Sequence, residues 1–383
     1  MIRVCHITSV HHRYDGRIYQ KECQALADAG FQVILLVNDG KCTEQKKNLT
    51  IQSCCYIKNR YLQIILASLN MYLPALQINA QIYHLHDPEL LPLALWLKRK
   101  HKKVIFDSHE FYYYQIKQKA YIPALLRGVV ANIYKRYEYR VLSHIDAVIT
   151  PCTINGKNYF EGISQKTIFV NNIPFKDEII PYPYAKKNNI KSCYLGGLAR
   201  ARGIEQMIKA SYKAEIPSIL GGTYEAGVLE NLQRSLEYEI VTYMGILSRK
   251  EVQSVYNEAS IGLSVLQNTG QYAQLDNLPT KVYEYMAAGL PVVLSRFAYT
   301  ERFLQKYPIG ILVNPNDTDE ITEALSYLAT HPHEAEKMGR VGRQTIENEL
   351  CWEREKEMRL MLYCEMFYSD AGGLLQNMEK RKR

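Results

Sequence analysis

The chain has 383 residues, a length that favours two domains with separate cores. Hydrophobic residues make up 47% and charged residues 22%, with 21 Gly and 14 Pro, which excludes a collagen-like or largely disordered chain. Of the 47 Lys and Arg, nine lie in two clusters, Lys98, Arg99, Lys100, Lys102 and Lys103 and then Lys380, Arg381, Lys382 and Arg383; the other 38 face 39 Asp and Glu, so no nucleic-acid partner is expected.

The two basic spots suit a phosphorylated ligand or anionic lipid headgroups. The 9 cysteines are odd in number, form no C-x-x-C pair and sit mostly in apolar runs, as reduced thiols of a cytoplasmic protein would. Met1 to His6 lacks the basic start and long apolar stretch of an export signal.

Arg3 to Ser9 is a predicted strand, Gly16 to Ala29 a helix and Gln32 to Asn38 a second strand, the βαβ rhythm of a parallel sheet. Tyr61 to Ala80 is uncharged, but Gln63, Ser68, Asn70, Pro74, Gln77 and Asn79 interrupt it, so a buried or surface-docked helix is expected rather than a membrane span. Strands follow at Ile82 to His86, Lys103 to Asp107, Ala147 to Thr150 and Thr167 to Val170, with Asp87 as N-cap before Pro88. Periodicity fails between Ile173 and Lys191. It resumes with strands at Cys193 to Leu195, Ser218 to Leu220, Ile240 to Met244, Ile261 to Val265, Pro291 to Ser295 and Gly310 to Val313, and helices run from His333 to about Ser369.

The fold class expected is α/β, with two doubly wound, Rossmann-like domains whose strand ends face a cleft. The expected boundaries are 1–175 for the N-terminal domain, 176–190 for a linker, 191–350 for the C-terminal domain, and 351–383 for a helix and basic tail packing back on the first domain.

Gly16 lies in the first strand-to-helix turn, where helix amides attract phosphate; it is equally readable as a plain turn glycine. The G-x-G-x-x-G fingerprint of a nicotinamide dehydrogenase is missing. His109, in Asp107-Ser-His-Glu110, can donate to a sugar hydroxyl or exchange a proton, or be an ordinary rim residue. His84 and His86 stand at strand spacing, and no cluster has zinc spacing, so no metal is expected. In Gly196-Gly-Leu-Ala-Arg200-Ala-Arg202-Gly203, two guanidiniums beside a helix start form an anion clamp or a solvated loop. Asp276 precedes a helix opened by Pro279 and stopped by Gly289, with Glu284 inside it.

From Asp276 to Pro291 the chain resembles the family 4 (group 1) glycosyltransferases, retaining enzymes of GT-B fold; the Asp276 to Glu284 spacing matches their Glu-x7-Glu pattern. Tyr14-Asp-Gly16-Arg, His86-Asp-Pro-Glu-Leu-Leu, Asp107-Ser-His109-Glu110, the Arg200 and Arg202 loop and Tyr307-Pro-Ile-Gly-Ile-Leu-Val agree in order. The resemblance implies that Glu284 binds the donor ribose, that Asp276, Asn277 and Leu278 lie by the donor sugar and diphosphate, that Gly245 lies near the base, and that Gly16, Arg200, Arg202 and Lys281 complete the donor site. His109 and Asp276 are the expected catalytic residues, His109 positioning sugar or acceptor without acting as general base. Two departures stand out: Asp replaces the first acid, and Gly197 and Arg202 hold the places of the phosphate loop's usual Arg and Lys.

By the same resemblance the partners are a UDP- or GDP-sugar donor and a glycan or lipid-linked acceptor, in bacterial surface polysaccharide synthesis, with no cofactor beyond the nucleotide sugar. Arg127, Lys135, Arg136 and Arg140 share a helix with Leu126, Val129, Val130, Ile133 and Tyr137, which reads either as a solvated cationic face or as a contact with the anionic inner face of the plasma membrane. A nucleotide-sugar 2-epimerase and a non-catalytic nucleotide-sugar binding protein are the competing functions.

Overall fold

The computed structural model describes residues 2–119, 122–183 and 189–368; the basic tail at Lys380 to Arg383 and the linker residues Lys186, Lys187 and Asn188 lie outside them. The chain forms two compact units, Met1–Asn172 with Arg354–Arg383, and Ile173–Glu353.

In the first unit β1 (Arg3–Ile7) leads through a π-helical turn, Ile18–Cys23, into α1 (Gln24–Asp28) and β2 (Gln32–Val37). The hairpin of β3 (Glu44–Lys46) and β4 (Leu49–Ser53) precedes α2 (Arg60–Ile78), β5 (Ile82–Leu85), α3 (Leu91–Arg99) and β6 (Lys103–Asp107). α4 (Tyr112–Ile116), α5 (Ala124–Leu142), β7 (Ala147–Thr150) and β8 (Thr167–Phe169) follow. The strands form one sheet in the order β3-β4-β2-β1-β5-β6-β7-β8, parallel except at β3. β5 and β7 are buried along their whole length, which requires helices on both faces and explains their uninterrupted apolar character. Right-handed crossovers put α2, α3 and α5 on one face, because all three carry the chain the same way across the sheet, and put α1 on the other.

α2 is a surface-docked helix. Asn59 caps it by accepting from the Tyr61 and Leu62 amides, its small face of Ala67, Ser68, Met71 and Ala75 is buried, and Ile65, Leu69 and Leu73 are exposed. The hairpin went unanticipated because β3 is polar and fully exposed, with no apolar alternation to betray it. Asp87 holds the N-cap position before Pro88, as expected, but not through its side chain. Its side chain makes no cap bond; it accepts instead from Thr8 Oγ1 (2.8 Å) and the Ser9 amide (2.6 Å), fastening the loop after β1.

The second unit runs β9 (Ser192–Leu195), α6 (Ile204–Lys213), β10 (Ser218–Gly221), α7 (Val228–Gln233), β11 (Val241–Tyr243), α8 (Arg249–Glu258) and β12 (Ile261–Ser264). It continues with α9 (Thr280–Ala288), β13 (Val292–Ser295), α10 (Ala298–Lys306), β14 (Gly310–Val313), α11 (Thr318–Thr330) and α12 (Pro332–Asn348). The last helix, α13 (Trp352–Tyr368), carries the chain back into the first unit from Arg354. The parallel sheet order is β11-β10-β9-β12-β13-β14, which reverses direction between β9 and β12. Ile173 and Ile179, in the stretch where periodicity fails, are buried in this unit's core.

Aromatic rings gather under α4 and α5, where Tyr159 meets Phe111, Tyr139 and Phe160 edge to face. Glu138 is buried below them, bonded to Tyr134 Oη at 3.1 Å, and burial pushes its carboxyl up to about 7. Its protonated form is the one the fold favours, so stability is lost as pH rises through about 7. Glu138→Gln should therefore raise stability at pH 8.5, by up to about 3 kcal/mol at 1.36 kcal/mol per pKa unit, and change it little at pH 5; urea titrations at both pH values measure the difference.

Candidate active site

Parallel sheets of this kind bind ligands beyond the strand ends where the strand order reverses. In the second unit that place is the end of β9 and β12, and the loops there are held closely together. Gly203, with φ 71°, ends the 3₁₀ turn Arg200–Arg202; a Cβ at this position would lie 2.0 Å from Val265 O. Gly222, with φ 126°, leaves no more room, since its Cβ would lie 2.0 Å from Gly196 O. The Gly222 amide donates to Gly245 O at 2.7 Å, so the tips of the loops after β9, β10 and β11 stack into a shelf of glycine backbone.

Two cations reach this shelf. Lys281, in the first turn of α9, is 8% exposed, with Nζ 3.6 Å from the centre of the Tyr194 ring. Burial first, and then the charge of Arg202, push its ammonium well below the usual lysine value. Arg202 lies over the Tyr272 ring at 4.9 Å. Arg200 is exposed, its Nε 3.8 Å from Glu205 Oε1. The inward cations are thus Arg202 and Lys281, side by side with mutual repulsion, an arrangement that an anion would relieve.

The remaining positions read from the sequence are less open. Asp276 accepts from Arg302 Nη2 at 2.8 Å, and Asn277 Oδ1 accepts from Tyr283 Oη at 2.7 Å. Leu278 is a core side chain, 3% exposed, and has only its backbone to offer a ligand. Glu284 accepts from Arg249 Nη1 and from Tyr256 Oη, both at 2.7 Å, leaving the carboxylate's other lone pairs for a further donor.

In the first unit the order reverses between β1 and β5, and histidines lie near both strand ends, His6 in β1, His84 in β5 and His86 just after it. The helix amides near Gly16 are not available for phosphate as the sequence suggested: Asp15 Oδ1 accepts from the amides of Arg17 and Ile18, both at 2.8 Å. Burial opposes ionisation of Asp15, but hydrogen bonds from His11 and these amides prevail and bring it down to about 2. That helix start already has its anion.

Behind it lies a buried quartet of charges. Arg17 donates to Asp107 Oδ1 (2.7 Å) and Glu22 Oε1 (3.0 Å); Arg359 donates to Asp107 Oδ2 (3.2 Å) and pairs with Glu22 Oε2. Burial opposes ionisation of Asp107, yet the charges of Arg17 and Arg359 hold it well below the usual carboxylate range. His6, His84, His86 and His109 surround the quartet, and burial pushes all four imidazoles down, His84 to about 4. His109, with its side chain 17% exposed, is the member nearest solvent.

His6, Glu22, His84 and His86 bring ligand atoms within 4.8 Å of one another, as do Glu22, His86, Asp107 and His109. No spacing rule finds this set, because its members come from four separate stretches. The residues do not fit a metal ion: both carboxylates are gripped by guanidiniums, and a cation among them would meet two positive charges. Sequence reasoning also passed over Glu22, Arg359 and Tyr363. The nearest signal was Arg17, next to Gly16 in a motif already singled out.

Residues 16–170 match the profile of Glycosyltransferase Family 4, and residues 202–358 match one described as Glycosyl transferase-like. No curated protein matches the chain in sequence. Among solved structures, sucrose-phosphate synthase from Thermosynechococcus elongatus superposes with a TM-score of 0.78 at 17% identity, over 96% of this chain and 100% of that one. A glycosyltransferase from Rickettsia africae gives 0.69 at 14% identity, over 96% and 98%. Anabaena HepE in complex with UDP and glucose gives 0.70 at 9% identity, over 95% and 100%.

Removing one member of a buried charge set leaves its partners unpaired, at a cost of roughly 3–5 kcal/mol. Arg359→Ala should lower unfolding free energy by about that amount in urea denaturation, whereas Arg200→Ala, at an exposed pair, should cost under about 1 kcal/mol.

Proposed function

Because the chain belongs to the family 4 (group 1) glycosyltransferases of GT-B fold, acting on nucleotide sugars, we propose that its second unit holds a UDP- or GDP-sugar and its first unit the accepting hydroxyl of a glycan or lipid-linked sugar. The observation that carries this assignment is the Arg202 and Lys281 pair at the glycine shelf. Two adjacent cations, one of them buried, suit a diphosphate that gains charge as its bond to the sugar breaks. They supply the stabilisation that a divalent ion provides in other transferases, so transfer is metal-independent. Glu284 takes the ribose hydroxyls, and Asp276 and the backbone from Asn277 to Leu278 adjoin the sugar.

Transfer proceeds with retention: the acceptor attacks the face that the diphosphate leaves, and a leaving phosphate oxygen takes the hydroxyl proton. His109 orients that hydroxyl. The HepE structure, in complex with UDP and glucose, makes UDP the first donor nucleotide to try.

The product belongs to a bacterial surface polysaccharide, made at the anionic inner leaflet. The helical face of the first unit supports this. Leu125, Val129 and Ile133 of α5 and Ile65, Leu69 and Leu73 of α2 are exposed on the side of the sheet shared with α3 and its cationic end. Arg136 and Arg140 flank the α5 residues, whereas Lys135 lies over the rings of Tyr113, Tyr139 and Tyr159 and is committed there. Apolar side chains among cations match an anionic headgroup layer.

A thermal-shift panel of UDP- and GDP-sugars should show stabilisation by one base and not the other. With the donor so found, Arg202→Ala and His109→Ala should each lower kcat by about 100-fold or more, with unfolding midpoints within a few degrees of the parent, and EDTA should leave the parent rate unchanged. Full activity in both variants would remove the assignment. In vesicle sedimentation, binding should require anionic lipid, weaken with salt and fall at least several-fold in Leu125→Glu/Ile133→Glu.

A further inference from the structure

The four histidines around the buried charges are joined end to end. His109 Nε2 lies 3.2 Å from His86 Nδ1, and His86 Nε2 lies 2.9 Å from His6 Nδ1. His6 Nε2 lies 3.1 Å from Tyr363 Oη, which in turn bonds His84 Nδ1. His84 Nε2, at the far end, lies 3.6 Å from Asp107 Oδ2. Every member except His109 is buried.

A neutral imidazole has one donor and one acceptor nitrogen, and a hydroxyl donates one proton, so in such a chain the direction of any one bond dictates all the others. We propose that Asp107 sets this direction from the inner end, through His84, Tyr363, His6 and His86, and thereby fixes His109 as the Nε2–H tautomer with a lone pair on Nδ1. His84 Nε2 faces Asp107 beyond hydrogen-bond distance, and the carboxylate charge favours a proton on that nitrogen, so His84 is protonated at Nε2 and accepts at Nδ1 from Tyr363. Tyr363 then accepts from His6 Nε2–H, His6 Nδ1 accepts from His86 Nε2–H, and His86 Nδ1 accepts from His109 Nε2–H.

The reverse direction would set a bare His84 nitrogen against a carboxylate. His109 Nε2 is itself 3.7 Å from Asp107 Oδ2, so both ends prefer the same assignment. His86 Nδ1 lies 4.0 Å from that oxygen, farther than either. Glu22 Oε2, 3.8 Å from His86 Nε2 and 3.9 Å from His6 Nδ1, faces the proton between them whichever ring owns it. The burial that keeps all four rings neutral also keeps the chain intact.

The consequence for transfer rests on the assignment of His109 to the acceptor: its Nδ1 accepts the hydroxyl hydrogen bond, and His86, His6, Tyr363 and His84 are positioning residues. Nitrogen-15 NMR of the full chain labelled at its imidazoles, with signals assigned by single His→Gln variants, reads the tautomer in the absence of any ligand. The expected spectrum has His109 protonated at Nε2, and Tyr363→Phe, which removes only the linking hydroxyl, shifts His109 toward a mixture of tautomers. A proton on Nδ1 in the parent protein, or an unchanged His109 signal in Tyr363→Phe, would overturn the proposal; should that variant fail to fold, the parent spectrum decides alone. The wrong tautomer with an inactive His109→Ala sinks the chain and spares the function, whereas the right tautomer with an active His109→Ala does the opposite.

Discussion

The first unit is organised around two carboxylates and two guanidiniums kept away from water. Glu22 and Asp107 are inaccessible, Arg359 is 1% exposed, and each guanidinium spans both acids. Burying ions is costly unless each is paired and hydrogen-bonded, so the positions of the contributing segments are tightly coupled. The helix carrying Arg17 and Glu22 opens as a π-helix, a wider coil that recurs at functional sites, and its start is pinned by Asp15. Among two buried acids and the two guanidiniums that hold them, a further ion would be hard to accommodate. Neutral imidazoles bring polarity without charge, which is why the β1 and β5 ends hold histidines where lysines or acids would disturb the balance.

The second unit leaves positive charge uncompensated where the first cancels it. Asp276 and Glu284 face Arg302 and Arg249, while Arg202 and Lys281 face aromatic rings and each other. Aromatic faces attract cations but do not neutralise them. The glycine shelf fits beside these side chains because a Cβ on Gly196 would lie 2.9 Å from Lys281 Nζ. The proposed donor site sets a diphosphate against this charge.

Much of this order was legible in the chain. Parallel strands buried on both faces appear as short β-branched runs, and Lys103 to Asp107 and Ala147 to Thr150 coincide with β6 and β7. The polar β3 has no such signature, and the Pro-punctuated stretch from Ile173 onward concealed two core isoleucines, Ile173 and Ile179. At the candidate sites, local motifs singled out Arg202, Lys281, Glu284 and His109 but not their partners. Arg359 meets Asp107 across 252 residues of sequence and Tyr363 meets His6 across 357, distances over which no spacing rule operates. Asp87 is the N-cap that the following Pro announces, but only the folded loop shows its carboxylate turned back to Thr8 and Ser9.

The first unit is discontinuous in the chain, leaving after Asn172 and returning at Arg354. During translation Glu22 and Asp107 therefore emerge long before the guanidinium of Arg359 that completes their pairing. A nascent chain released before that point carries buried acids short of one counter-charge, so the ribosome has to deliver an entire second lobe before the first can close.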